Sequence, residues 1–159
     1  MDIEIGEAKF NQAKKYAEDF YQTIGAVYCP YLKDKVVFNA KGIEHLKFKK
    51  RNKARTRVDQ YVRLRVLSIA PKIISESHTL QGILETKGFE YEKISSRWEW
   101  HMRDVVYLEF VAVYNKTRVR VIVKQVGNGP RYFWSVIPFW RVSKNSGKRI
   151  LHNEKPEED

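Results

Sequence analysis

The sequence predicts an α+β fold: amino-terminal helices packed on one face of a four-stranded (or larger) antiparallel meander sheet. Two observations predict it. Residues 7–24 and 57–70 repeat apolar side chains every three or four positions, the period of helices that cover a core. Residues 105–137 instead hold three runs of β-branched and aromatic side chains, punctuated by Asn115-Lys116 and by Gly127-Asn128-Gly129-Pro130. That is the pattern of strands joined by tight turns. A chain of 159 residues suits a single domain with one core. We expect that domain at 1–153, with an acidic disordered tail at 154–159.

The elements follow in order. Phe10, Ala13, Ala17, Phe20 and Ile24 form the apolar stripe of the first helix, and Gly25 ends it. Residues 26–39 read as a short extended piece, a turn near Lys33-Asp34 and a strand, with Pro30 arguing for an edge or a loop. Cys29, the single cysteine, excludes an intrachain disulfide or a cysteine-rich zinc site and is expected in or near the core. Asn39 is placed to cap a short helix, Lys41 to Phe48, that carries His45.

From Lys41 to Arg57 the chain holds eight lysines and arginines against one acid, Glu44. We expect an exposed basic loop, whose charge suits a phosphate backbone whatever its sequence. The second long helix, Arg57 to Ala70, has Val58, Val62, Val66, Ile69 and Ile73 as its stripe, with Arg57, Arg63 and Arg65 elsewhere on its surface. Pro71 kinks it or starts a further helix. Ser77-His78-Thr79 closes the helical region, and a histidine at such a junction is a candidate for function.

Gly82 and Gly88 flank a loose connection, and Phe89 to Trp100 reads as a strand or two with an irregularity at Ser95-Ser96. Trp98 and Trp100 share a face, either as core, expected for at least one, or as a stacking platform for bases. His101 to Asp104 is expected to turn into the meander.

A two-residue turn at Asn115-Lys116 sets Glu109 opposite Ile122, Val111 opposite Arg120 and Tyr107 opposite Lys124. A second turn centred on Asn128-Gly129 sets Lys124 opposite Phe133 and Ile122 opposite Ser135. Alternation then sorts two surfaces. Leu108, Phe110, Val119, Val121, Val123, Trp134 and Val136 should pack on the helices. Glu109, Arg118, Arg120, Lys124, Arg131 and Ser135, among Tyr107, Ile122 and Phe133, should form the working face. After Ile137 the chain leaves the sheet, and 143–149 is a polar, basic turn region.

Composition narrows the function. A net charge of +11 and a pI near 9.7 describe a protein that seeks polyanions. No apolar run is long enough to span a bilayer and the start is not a signal peptide, so we expect a cytoplasmic protein with no membrane partner. No Gly-rich phosphate loop, nucleotide fingerprint or metal-ligand spacing occurs, so we expect no cofactor and no metal.

Phe38-Asn-Ala-Lys-Gly-Ile-Glu-His45-Leu, Ser77-His-Thr79, Val119-Arg-Val-Ile-Val-Lys124 and Phe133-Trp-Ser-Val-Ile137 give residues 26–141 a likeness to a known group. The chain resembles the barnase/EndoU/colicin/RelE-like (BECR) nucleases, in particular the phage-type PBECR branch. The resemblance implies metal-independent RNA cleavage by 2′-hydroxyl attack, as in a toxin or phage-related effector; whether a protein inhibitor is a further partner stays open. It implies Glu109 as base, Arg120 and Lys124 as phosphate clamp, His45 or His78 as acid, and Ser135 as a phosphate or water ligand. Lys47, Lys49, Lys50, Arg51, Lys53, Arg55, Arg57, Arg118, Arg131 and Trp98 complete the expected nucleic-acid surface. The chain departs from the barnase-like pattern in carrying Ser135 where the last strand would hold a histidine. The alternatives are a catalytically silent RNA- or DNA-binding module and a domain that binds acidic protein partners.

Overall fold

The computed structural model describes residues 5–50 and 53–139. These form four α-helices, one 3-10 turn and eight strands. Helix α1 (Glu7–Ile24) ends at Gly25, whose φ of 68° glycine adopts without steric cost. Strands β1 (Ala26–Cys29) and β2 (Asp34–Val37) form an antiparallel hairpin. Helix α2 (Ala40–Lys47) follows, its first turn capped by the Asn39 side chain, which accepts from the Lys41 amide.

The basic segment after it is not the expected loop. It forms an antiparallel pair of short strands, β3 (Phe48–Lys50) and β4 (Lys53–Ala54), and then runs straight into α3 (Arg57–Val66). A 3-10 turn (Leu67–Ile69) and α4 (Ala70–Glu76) continue α3, with Pro71 tolerated in the first turn of α4. The buried apolar positions of this run are Leu64, Leu67, Ala70, Ile73 and Ile74. The expected stripe is therefore rotated: Val58 is exposed, and Arg63 is buried rather than on the surface.

The sheet is mixed and six-stranded, in the order β1-β2-β8-β7-β6-β5. Its larger part is the antiparallel meander of β5 (Gly82–Ile94), β6 (Arg97–Tyr114), β7 (Thr117–Val126) and β8 (Tyr132–Phe139). The β1–β2 hairpin joins it through one parallel residue pair, Val37 with Tyr132, so the sheet is not a pure meander. Gly82 and Gly88 lie inside β5, and His101 to Asp104 inside β6, where a loose connection and a turn were expected. The Ser95-Ser96 irregularity is the hairpin turn itself, with φ of 51° and 68°. Pro138, expected outside the sheet, pairs with Val119. The regions 143–149 and 154–159 lie outside the described residues.

One face of the meander packs on the helices, as the alternation predicts. Val119, Val121, Val123, Leu108, Phe110 and Val136 meet Ala17 and Tyr21 of α1 and the apolar residues of α3 and α4. Each such side chain contributes about 1.5–3 kcal/mol by leaving water. Phe38 stacks on Phe133 at 4.9 Å, and Cys29 is buried in the same core. Helix α2 rides close over β8: a Cβ on Gly42 would lie 2.5 Å from both the Phe133 carbonyl oxygen and the Tyr21 hydroxyl.

Candidate nucleic-acid interface

The site begins with a bulge in β8. Ile122 pairs with Ser135, as the turn geometry predicts, but Val123 pairs with Phe133 and Lys124 with Tyr132. Trp134 is the extra residue, and a bulge re-aims the side chains beyond it. Phe133 thereby enters the core and Trp134 moves to the face of Lys124, the reverse of the expected sorting. The Lys124 ammonium sits 4.1 Å from the centre of the Trp134 ring and 5.5 Å from that of Tyr107, both within cation–π range.

Two further elements close on this point. His45 from α2 stacks on Trp134 with ring centres 3.8 Å apart. Glu90 from β5 pairs with Lys124 at 2.7 Å. Register alone would forbid that pair. Glu90 lies opposite His101 and Lys124 opposite Tyr107, which along an extended β6 is about 20 Å. The β5–β6 ribbon beyond Val105, where β7 ends, therefore curls back over the sheet face as an arm. Long two-stranded ribbons twist strongly, which favours such a path.

His45 is held by a buried polar chain. The Arg55 Nε donates to the His45 carbonyl at 2.9 Å, and the Arg55 Nη2 lies 3.1 Å from the His45 Nε2. Arginine has only donors, so that ring nitrogen is the acceptor and the proton sits on Nδ1. Asp59 accepts from Arg55 at 3.3 Å and from Arg63 at 2.8 Å, and Arg63 donates to the Ser135 hydroxyl at 2.7 Å. Burial pushes the Asp59 carboxyl up, but the charges and hydrogen bonds of Arg63 and Arg55 outweigh it and hold the group below the usual carboxylate range. Ser135, expected on the working face, is fully buried and tied to α3.

Between α2 and the arm lies a groove of about 400 Å³. His45, Lys41 and Lys49 line one side, Tyr132 and Trp134 its floor, and Glu90, Tyr91 and Trp100 the arm side. Lys41 lies 5.5 Å over the Tyr132 ring. The Tyr132 hydroxyl is buried and finds no hydrogen-bond partner among the described residues. Burial, then the charge of Glu90, raises its pKa, so it stays protonated.

The other expected site residues are dispersed. Glu109 and Arg120 form their own ion pair at 2.6 Å on the face of Lys124, with Ile122 between them and the lysine. His78 lies elsewhere, in a depression of about 210 Å³ with Lys72, Gln81 and the end of β6. Lys47 pairs with Glu18, Arg131 with Asp34 at 3.4 Å, and Arg57 lies over the Phe10 ring at 5.7 Å. Arg55, expected on an exposed loop, is buried. Lys53 is exposed and Arg118 half-buried. Arg51 and the side chain of Lys50 lie outside the described residues. Trp98 is exposed and stacks on Tyr91 at 5.3 Å, and Trp100 is exposed too, so neither tryptophan is core.

Sequence reasoning missed Glu90, Tyr132, Trp134 and Asp59. Asp59 did carry a signal, since it stands four residues from both Arg55 and Arg63, the spacing of side chains that meet on a helix. No helix of the described residues is long and apolar enough to cross a membrane. Comparison of the chain with protein-family models, with curated proteins and with solved structures finds no match.

Proposed function

We propose that the protein binds an unpaired RNA strand in this groove and cleaves it without a metal, by attack of a 2′-hydroxyl on the adjacent phosphate. The observation that carries the reading is the gathering of Lys124, Glu90 and His45 about Trp134, at an aromatic groove flanked by lysines. Tyr91 and Trp100 offer faces on which any base can stack. Lys41 and Lys49 supply sequence-independent attraction to phosphate. Lys124 stabilises the negative charge that grows on the phosphoryl oxygens, and removing a group of this kind costs about 2.7–4 kcal/mol of transition-state stabilisation. Glu90 accepts the 2′-hydroxyl proton, the role the resemblance implies for Glu109. The 2′-oxygen bonds to phosphorus, the bond to the 5′-oxygen breaks, and that oxygen takes a proton from water in the groove, leaving hydroxide. Glu90 gives its proton to that hydroxide, which restores the carboxylate. The products are a 2′,3′-cyclic phosphate and a 5′-hydroxyl.

The silent binder is the second reading, and a specific observation favours it. Arg55 faces the His45 Nε2 and opposes its protonation, while Glu90 and Glu109 are already committed to cations. Incubation of the full chain with end-labelled RNA in excess EDTA separates the two. Cleavage with cyclic-phosphate ends, lost in Glu90→Gln with binding retained, supports the enzyme. No cleavage, or cleavage that the chelator abolishes, leaves only the binder.

A further inference from the structure

We propose that the outer face of the β5–β6 arm is a second subsite, on which roughly two or three bases of an unpaired strand stack after leaving the groove. The inference rests on the groove being an RNA site and deepens it: the substrate is single-stranded and longer than the groove itself.

The arm sorts its side chains by alternation. One face carries Glu90, Glu92, Glu99, His101 and Arg103. Its glutamates are paired with cations: Arg103 grips Glu92 at 2.8 Å, Arg97 lies 3.5 Å from Glu99, and Glu90 holds Lys124. The other face carries Phe89, Met102, Tyr91, Trp100, Lys93 and Trp98. Phe89, Trp98, Trp100 and Met102 are each more than half exposed, at 64%, 57%, 55% and 53%. So large a run of exposed apolar surface marks an interaction site.

Two features identify the occupant. The rings form a ladder, with Tyr91 stacked on Trp98 and 5.2 Å from Trp100, and Tyr91 and Trp100 also line the groove. The ladder thus continues the groove without a break. Along it the charge is that of Lys93; at its base Lys87 and Asp104 offset one another at 4.0 Å, and the glutamates of the arm are on the opposite face. Aromatic faces beside a cation suit a polyanion with π-faces, where an acidic helix or an apolar protein surface would meet only half of the features. A duplex keeps its bases stacked inside and cannot use the ladder.

The test uses the full chain and 2′-O-methyl uridine oligomers, which 2′-hydroxyl attack cannot cleave, of about four and about twelve nucleotides. Affinity is read by fluorescence anisotropy. The double variant Phe89→Ala/Trp98→Ala alters two exposed rings outside the groove, and its melting temperature reports folding. It is expected to weaken the longer oligomer by about tenfold per ring and leave the shorter one unchanged. Lys41→Gln, in the groove, is expected to weaken both. Equal effects of the double variant on the two lengths, or none, overturn the subsite and leave the groove standing. Wild-type protein that binds neither oligomer removes the groove and the subsite together. A wild-type dimer that the double variant converts to monomer assigns the ladder to self-association and overturns the proposal.

Discussion

Glu90 and Lys124 meet at 2.7 Å across a fold in the β5–β6 ribbon, with both side chains largely withdrawn from water. The pair latches the arm to the sheet face. Lys124→Met is expected to leave the Glu90 carboxylate without its counter-charge and to lower stability by about 1.5–3 kcal/mol. The double variant Glu90→Gln/Lys124→Met should recover part of that loss, and a double-mutant cycle in urea measures the coupling. Additive losses would show that the arm is held by something else.

Asp59 stands between two arginines that are almost wholly buried, so Asp59→Asn strands both. The expected cost is about 3 kcal/mol, the low end for a broken buried pair because Asp59 keeps 30% of its own side-chain surface. The native pKa of Asp59 is depressed, so its contribution is complete above the unfolded value near 4 and is lost as pH falls through the lower native value. Melting temperature against pH should therefore fall more steeply at acid pH in the wild type than in the variant.

Gly42→Ala should be costly despite the good helix propensity of alanine. The new methyl would press on the Phe133 carbonyl and the Tyr21 hydroxyl, and α2 would have to rise off β8. A loss of about 1–3 kcal/mol is expected, read as a lower urea midpoint at unchanged slope. RNA affinity should fall with it, since His45 rides on the same helix.

Lys41 and Lys49 flank the groove. Replacing either with glutamine should weaken RNA binding about equally for all sequences and reduce the salt slope by about one. A salt slope unchanged in both variants would place the phosphate contacts elsewhere.

The part of this architecture legible in sequence is the part fixed by local rules. Asn115 and Lys116 take φ of 46° and 62°, the conformation a two-residue hairpin turn demands, and the β6–β7 register follows from the turn through all its pairs. The Ser95-Ser96 turn has the same geometry but lacks the usual Asn or Gly, so two long strands read as a broken one. The bulge at Trp134 leaves no local mark, because a surplus residue in a run of aromatics still alternates on paper. Arg63 looks like surface in any helical wheel. Its burial depends on Asp59 within the helix and on Ser135, far away in the chain. The site was half legible for the same reason: Lys124 and His45 were both named, while Glu90 needed the curl of the arm to reach them.

The single residue pair between β2 and β8 has a consequence for the order in which the molecule is assembled. The β5–β8 meander is built from neighbours in sequence and can zip from its turns. The β1–β2 hairpin and α2 must find β8 across most of the chain, which we expect to come late in folding. Lys41 and His45 arrive with α2, whereas Tyr132, Trp134 and Lys124 belong to the meander. A chain whose sheet has formed but whose amino-terminal third has not docked therefore owns half a groove. RNA binding, followed during refolding, should appear only with the last kinetic phase.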